Sequence, residues 1–250
     1  IDDLGAAITL DPTQSEYWSW RFSLHLLTAN LAAARTDCDA IAQRFGRDEG
    51  QACAATLLYR SGQAQQAIPM FNRLVDLPDY QGPFTQDWLR YHQGEAYRAA
   101  GQYAQAIAVW EKHVRSRPES HLVRLTLTEL LNQQGQFAQA KRYADSPSPT
   151  DALLVQALLA SRGLKDGDTQ RLADQFENRM NNQALRGESL IERPTMVYLI
   201  TFGRDNAQGL KLAAENWRTQ NEPADAVLLV QPALKANQPR LAEPVLGWMA

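Results

Sequence analysis

The chain has 250 residues, 44% of them hydrophobic and 21% charged, with a formal net charge of −3. That is enough apolar content for a packed core and too little charge for a disordered chain. The mild acidity leaves no electrostatic footprint for nucleic acid. The apolar stretches, such as 152–159, fall short of the roughly 18 residues a membrane span needs.

Taken in order, residues 1–12 read as a closing helix, with Leu4, Ala7 and Leu10 on one side and Asp11-Pro12 as its stop. Its partner would lie upstream, so the chain reads as a fragment or as a mature protein with its start removed. A helix from about Glu16 to Ala29 follows, rich in aromatics, and then one from Leu31 to Phe45. The stretch from Phe45 to Gly50 reads as a turn. The next pair covers 51–76, with Gly62 between its helices and Pro78 after them. Residues 79–85 form an insertion in which Gly82-Pro83 carries turn chemistry, and Thr85 or Asp87 is placed to cap the next helix.

That helix ends at Gly101 and its partner before Pro118; another pair covers 119–134 and 137–145. Ser146-Pro147-Ser148-Pro149 breaks the pattern, and residues 146–150 read as a connector between an array at 1–145 and a further set of hairpins at 151–250. Beyond it the periodicity predicts helices at 151–162 and 169–182, one from Pro194 through Phe202, and one at 207–218. A last pair begins at Pro223, carries an interior Pro232 that should bend it, and ends in a short helix at Met249. No stretch alternates with a two-residue period. The count is roughly fifteen helices in about seven pairs, and no strands.

One hexapeptide recurs through this pattern. Gly101-Gln102-Tyr103-Ala104-Gln105-Ala106 returns as Gly135-Gln136-Phe137-Ala138-Gln139-Ala140, and a looser copy, Gly62-Gln63-Ala64-Gln65-Gln66-Ala67, stands before both. The interval from Gly62 to Gly101 is the longer of the two, because the 79–85 insertion falls within it. Periods of roughly 30–40 residues mark arrays of stacked helix pairs, because one pair cannot bury both its faces. The hexapeptide itself reads as a turn: the glycine closes one helix and the last alanine lets the next come close.

Gly94, Tyr97, Gly101, Tyr103, Ala106, Trp110 and Pro118 follow the order of small, large and aromatic residues of the tetratricopeptide repeat, which this chain resembles. Thr128, Leu131, Gly135, Phe137, Ala140 and Ala144 repeat the order, as do Ala55, Leu58, Gly62, Ala64, Ala67 and Phe71. The match is specific over 48–145, weaker over 15–45 and loose after 150. The resemblance implies an all-α, right-handed alpha-alpha superhelix of antiparallel helix pairs, with a concave groove lined by the first helix of each pair. By repeat position the groove candidates are Thr56, Arg60, Trp88, Tyr91, Glu95, Arg98, Leu125, Glu129 and Asn132. Aromatic and charged side chains together suit a peptide, although for any one of them a solvated helix face is the plainer reading. At the positions where the family's carboxylate-clamp members hold a peptide C-terminus, this chain has Ala52, Tyr91 and Leu125, then Thr56, Glu95 and Glu129. Glutamates there repel a carboxylate.

Cys38 and Cys53 flank the 45–50 turn on adjacent helices, and two readings stand: a pair of small buried apolar residues, or a disulfide. The end of the chain, Asn216-Trp217 to Trp248, resembles that of uncharacterised exported bacterial repeat proteins, which favours the disulfide and a periplasmic setting over a cytoplasmic one. His25, His92, His113 and His121 form no metal-ligand pattern, and no phosphate loop or nucleophile elbow is present. No cofactor is expected. The reading is a non-enzymatic scaffold that binds a protein or peptide of unassigned identity. The alternatives are a self-associating structural module, with the chain as a homo-oligomer, or an accessory subunit of a cell-envelope complex.

Overall fold

Glycines and prolines set the helix boundaries in the computed structural model, which describes residues 1–77 and 83–249. Fifteen α-helices and one 3-10 turn account for the regular structure among these residues, with no strand. Pro78 and the Gly82 half of the Gly82-Pro83 turn lie outside the described residues.

The chain forms two compact units, Ile1–Gln134 and Gly135–Ala250. The first holds α1 (Asp2–Leu10), α2 (Ser15–Leu27), α3 (Leu31–Phe45), α4 (Arg47–Arg60), α5 (Ala64–Val75), α6 (Gln86–Ala99), α7 (Tyr103–Ser116) and α8 (His121–Gln133). Each packs on the next, and α4 also meets α6 as α6 meets α8. Short connections between packed neighbours make consecutive helices antiparallel, so α4, α6 and α8 run parallel on one side. The second unit holds α9 (Phe137–Ala144), α10 (Asp151–Leu164), α11 (Thr169–Leu185), α12 (Arg193–Thr201), α13 (Asn206–Asn216), α14 (Pro223–Lys235), a 3-10 turn (Pro239–Ala242) and α15 (Glu243–Met249). Here α10 meets α12 and α12 meets α14. The Ser146–Pro149 stretch lies inside this unit, between α9 and α10, which pack against each other.

The recurring hexapeptide is a helix stop followed by a helix start. Gly62 and Gly101 take φ of +83° and +74°, a left-handed conformation that only glycine adopts without strain. The following amides, of Gln63 and Gln102, reach back to the carbonyls of Leu58 and Tyr97 at 2.8 Å each. The last carbonyls of α4 and α6 are satisfied in this way. Thr85 caps α6, its hydroxyl accepting from the Trp88 amide at 3.1 Å.

The turn expected over 45–50 shrinks to a single residue. Gly46 carries the break, and α4 begins at Arg47. Gly50 is therefore not a stop. It lies within α4 against Ala42 of α3, where an added Cβ would sit 2.4 Å from the Ala42 Cβ. That close approach brings Cys38 and Cys53 together: their Cα atoms are 5.6 Å apart and the sulfurs are bonded. The separation is one that a disulfide spans without moving the backbone.

Charged clamps brace each unit. Arg21 of α2 donates through Nε to both carboxylate oxygens of Asp37 on α3, at 3.1 Å each, and Asp37 is buried. In the second unit Arg193 grips Asp225 through two bonds of 3.0 Å and Glu222 through a third, tying the start of α12 to that of α14.

The disulfide joins positions with a sequence separation of 15. For a loop of that size, loss of the cross-link costs about 3 kcal/mol in the chain-entropy account. The Cys38→Ala/Cys53→Ala variant should unfold at lower urea than the oxidised protein by about that free energy, and reductant should shift the wild type the same way. Coincident urea curves would show that the bridge contributes nothing.

Candidate functional site

Tyr91, Glu95 and Arg98 are spaced i, i+4, i+7 and so share one stripe of α6; Leu125, Glu129 and Asn132 form the equivalent stripe of α8. All six are part-exposed. α6 and α8 are packed, and residues one repeat apart hold equivalent positions on them: Tyr91 and Leu125, Glu95 and Glu129, and Arg98 and Asn132, called rungs below. The surface thus passes from apolar through acidic to cationic and amide along the helices. Arg98 donates to Glu95 at 3.2 Å, with 27% and 19% of the two side chains exposed.

The equivalent stripe of α4 is different. Ala52, Thr56 and Tyr59 occupy the matching rungs, and all three are buried. Thr56, expected to face the groove, has 0% exposure, and its hydroxyl donates to the Ala52 carbonyl at 3.1 Å. It cannot touch a ligand. Arg60, one residue off the stripe, is part-exposed and donates to the Leu26 carbonyl on α2 at 3.2 Å.

Aromatic rings from α2, from α6 and from the residue before its cap meet in one cluster. Phe84 stacks on Trp88 with centroids 4.1 Å apart, and both approach Phe22 of α2, at 5.9 and 6.5 Å. Trp88, expected among the groove residues, joins this cluster and is itself part-exposed. One turn further along α6, His92 lies 3.9 Å from the Trp88 ring and meets the Tyr59 hydroxyl through Nδ1 at 2.6 Å. His92 is 7% exposed. Burial, helped by the Arg60 charge nearby, holds it well below the ordinary imidazole range, so it is neutral. Sequence reading left His92 and Phe84 out of the site. The available signal was the contrast of small residues at 52 and 56 with large ones at 91, 95, 125 and 129, and the Trp88/His92 spacing of one helical turn.

Among the described residues no group of three or more His, Cys, Asp and Glu side chains is arranged to hold a metal ion, and no helix is long and apolar enough to cross a membrane. His113 is held by Asp87, Nε2 to Oδ1 at 2.8 Å. The second unit has a cleft of about 630 Å³ between α9, the 146–149 stretch and α11, lined by Pro147, Pro149, Leu154, Leu172, Lys141 and Arg171 among others. The Lys141 ammonium there is already engaged, 2.6 Å from both Asp166 and Asp168. Hydrogen bonds from Lys141 and then Ser161 hold the Asp166 carboxyl at about 2.

Residues 97–161 match the tetratricopeptide repeat family. A crystal structure of a tetratricopeptide repeat protein from Parabacteroides merdae shares the fold with a TM-score of 0.51 at 13% sequence identity, over 91% of this chain and 89% of that one. No curated protein matches the chain.

The buried neutral His92 makes stability depend on pH. The unfolded chain takes up a proton near pH 6.5 that the folded protein refuses, so unfolding binds the extra proton and stability falls as pH drops below that value; above it nothing changes. Between pH 7.5 and 5.5 the loss should be on the order of 1 kcal/mol. His92→Gln should lose less over the same range by urea titration. Equal losses for the two proteins would contradict a neutral His92.

Proposed function

We propose that this tetratricopeptide repeat protein is a non-catalytic scaffold that binds a segment of another protein along α6 and α8. The repeats make it a fold of the protein-interaction kind. The finer reading rests on one observation: Tyr91/Leu125, Glu95/Glu129 and Arg98/Asn132, at equivalent repeat positions, are part-exposed, whereas their α4 equivalents are buried.

The chemistry of the rungs favours an internal segment over a chain terminus. Tyr91 and Leu125 offer contact area to an apolar side chain at low entropic cost. Glu95 and Glu129 disfavour a carboxylate and fix register against polar or basic neighbours. Arg98, part-exposed, adds guanidinium donors that suit polar or acidic groups of the ligand. The bonded, buried Cys38–Cys53 pair supports an exported setting, since disulfides persist in oxidising compartments. The partner is then expected among exported or cell-envelope proteins.

The test is capture from native extract with the wild type, the Tyr91→Ala/Arg98→Ala variant, and Lys112→Ala as a control on an exposed part of α7. The double variant should lose its specific partners at least tenfold while its circular dichroism and melting stay cooperative. The control should keep them. Identical partners for a folded double variant would exclude the α6–α8 surface.

A further inference from the structure

Phe84 precedes Thr85, the cap of α6. A residue in that place ordinarily packs on its own helix. The Phe84 ring does more: besides stacking on Trp88, it approaches Phe22 of α2, on the far side of α4. Packed helices stand about 8–10 Å apart, so α2 and α6, with α4 between them, are separated by roughly twice that. Phe22, Phe84 and Ala52 of α4 belong to one buried cluster with Trp88 packed against it, and the small Ala52 and Thr56, both with 0% exposure, leave room on α4 for such rings. Phe84 itself is 2% exposed, although it belongs to the connection rather than to any helix.

We propose that the slot bounded by Phe22, Trp88 and the small face of α4 is an aromatic side-chain subsite, and that the chain fills it itself with Phe84. The location rests on reading the α4–α6–α8 side as the binding face. The slot lies on the same side as the part-exposed rungs, so Phe84 occupies one end of the surface and leaves α6 and α8 for a partner. With Phe84 truncated, the slot takes an aromatic side chain supplied by another peptide. The walls recommend an aromatic ring: Trp88 offers a stacking face and Phe22 an edge, the geometry in which ring pairs are favourable.

The experiment compares the full chain and Phe84→Ala in thermal melts, with acetyl-Pro-Phe-Thr-amide and acetyl-Pro-Ala-Thr-amide at millimolar concentration as probes. Phe84→Ala should melt cooperatively, roughly 10 °C below the wild type. The phenylalanine peptide should raise its melting temperature by about 2 °C or more in a saturable way, and the alanine peptide should not. Neither should move the wild type, whose slot is full. A cooperative Phe84→Ala that responds to neither peptide overturns the proposal, as does an equal response from the wild type. If Phe84→Ala does not melt cooperatively, Phe84→Val takes its place under the same criteria. Failure of both variants to fold overturns the proposal too, because the walls would then depend on Phe84 and not merely receive it. None of these results bears on partner capture through Tyr91 and Arg98, so either reading can fail alone.

Discussion

The packing of Trp110 on Gly94 sets the geometry on which the candidate site depends. The indole of α7 lies so close to α6 that a Cβ on Gly94 would be 2.0 Å from its Cε2. The ring is fully buried, and its Nε1 donates to the backbone carbonyls of Arg90 and Tyr91 at 3.0 and 3.3 Å. One side chain thus fixes both the separation of the two helices and the backbone that carries the first rung. The same device recurs in the second unit, where the Phe137 ring of α9 would stand 2.5 Å from a Cβ on Gly163 of α10. Large side chains seated on missing ones give interiors their density, and the repeat uses that density to set helix spacing.

The repeat pattern was legible because it is local. Glycine at the end of a helix, alanine at the start of the next and an aromatic one turn on are constraints within a few residues. They placed α3 at its observed bounds and identified the hexapeptide as a turn. Gly50 was misread as part of a turn because its reason for being glycine, the approach of Ala42 across α3 and α4, is a tertiary contact. The Ser146–Pro149 stretch shows a related limit: prolines end helices, but they do not stop α9 from packing on α10 across them.

The candidate surface is legible only in part for the same reason. Tyr91, Glu95, Arg98, Leu125, Glu129 and Asn132 follow from helical spacing and the repeat period, which carry over to the structure because α6 and α8 are adjacent repeats of regular length. Thr56 satisfied the same rule yet is buried. Phe84, buried from the longer interval between Gly62 and Gly101, lies where the extra residues break the register that periodicity arguments use. The Tyr59–His92 bond joins α4 to α6. Such a polar contact is tolerated in the interior because both groups are satisfied and the imidazole is neutral.

On the proposed reading a ligand reaches α6 and α8 and not α4, whose equivalent residues are buried. Thiol labelling of Thr56→Cys and Glu129→Cys under non-reducing conditions, with Cys38 and Cys53 left bonded, tests it directly. A buried thiol reacts only through local opening of the structure, so Glu129→Cys should label at least roughly a hundredfold faster than Thr56→Cys. Comparable rates at the two positions, in variants that melt like the wild type, would contradict the account.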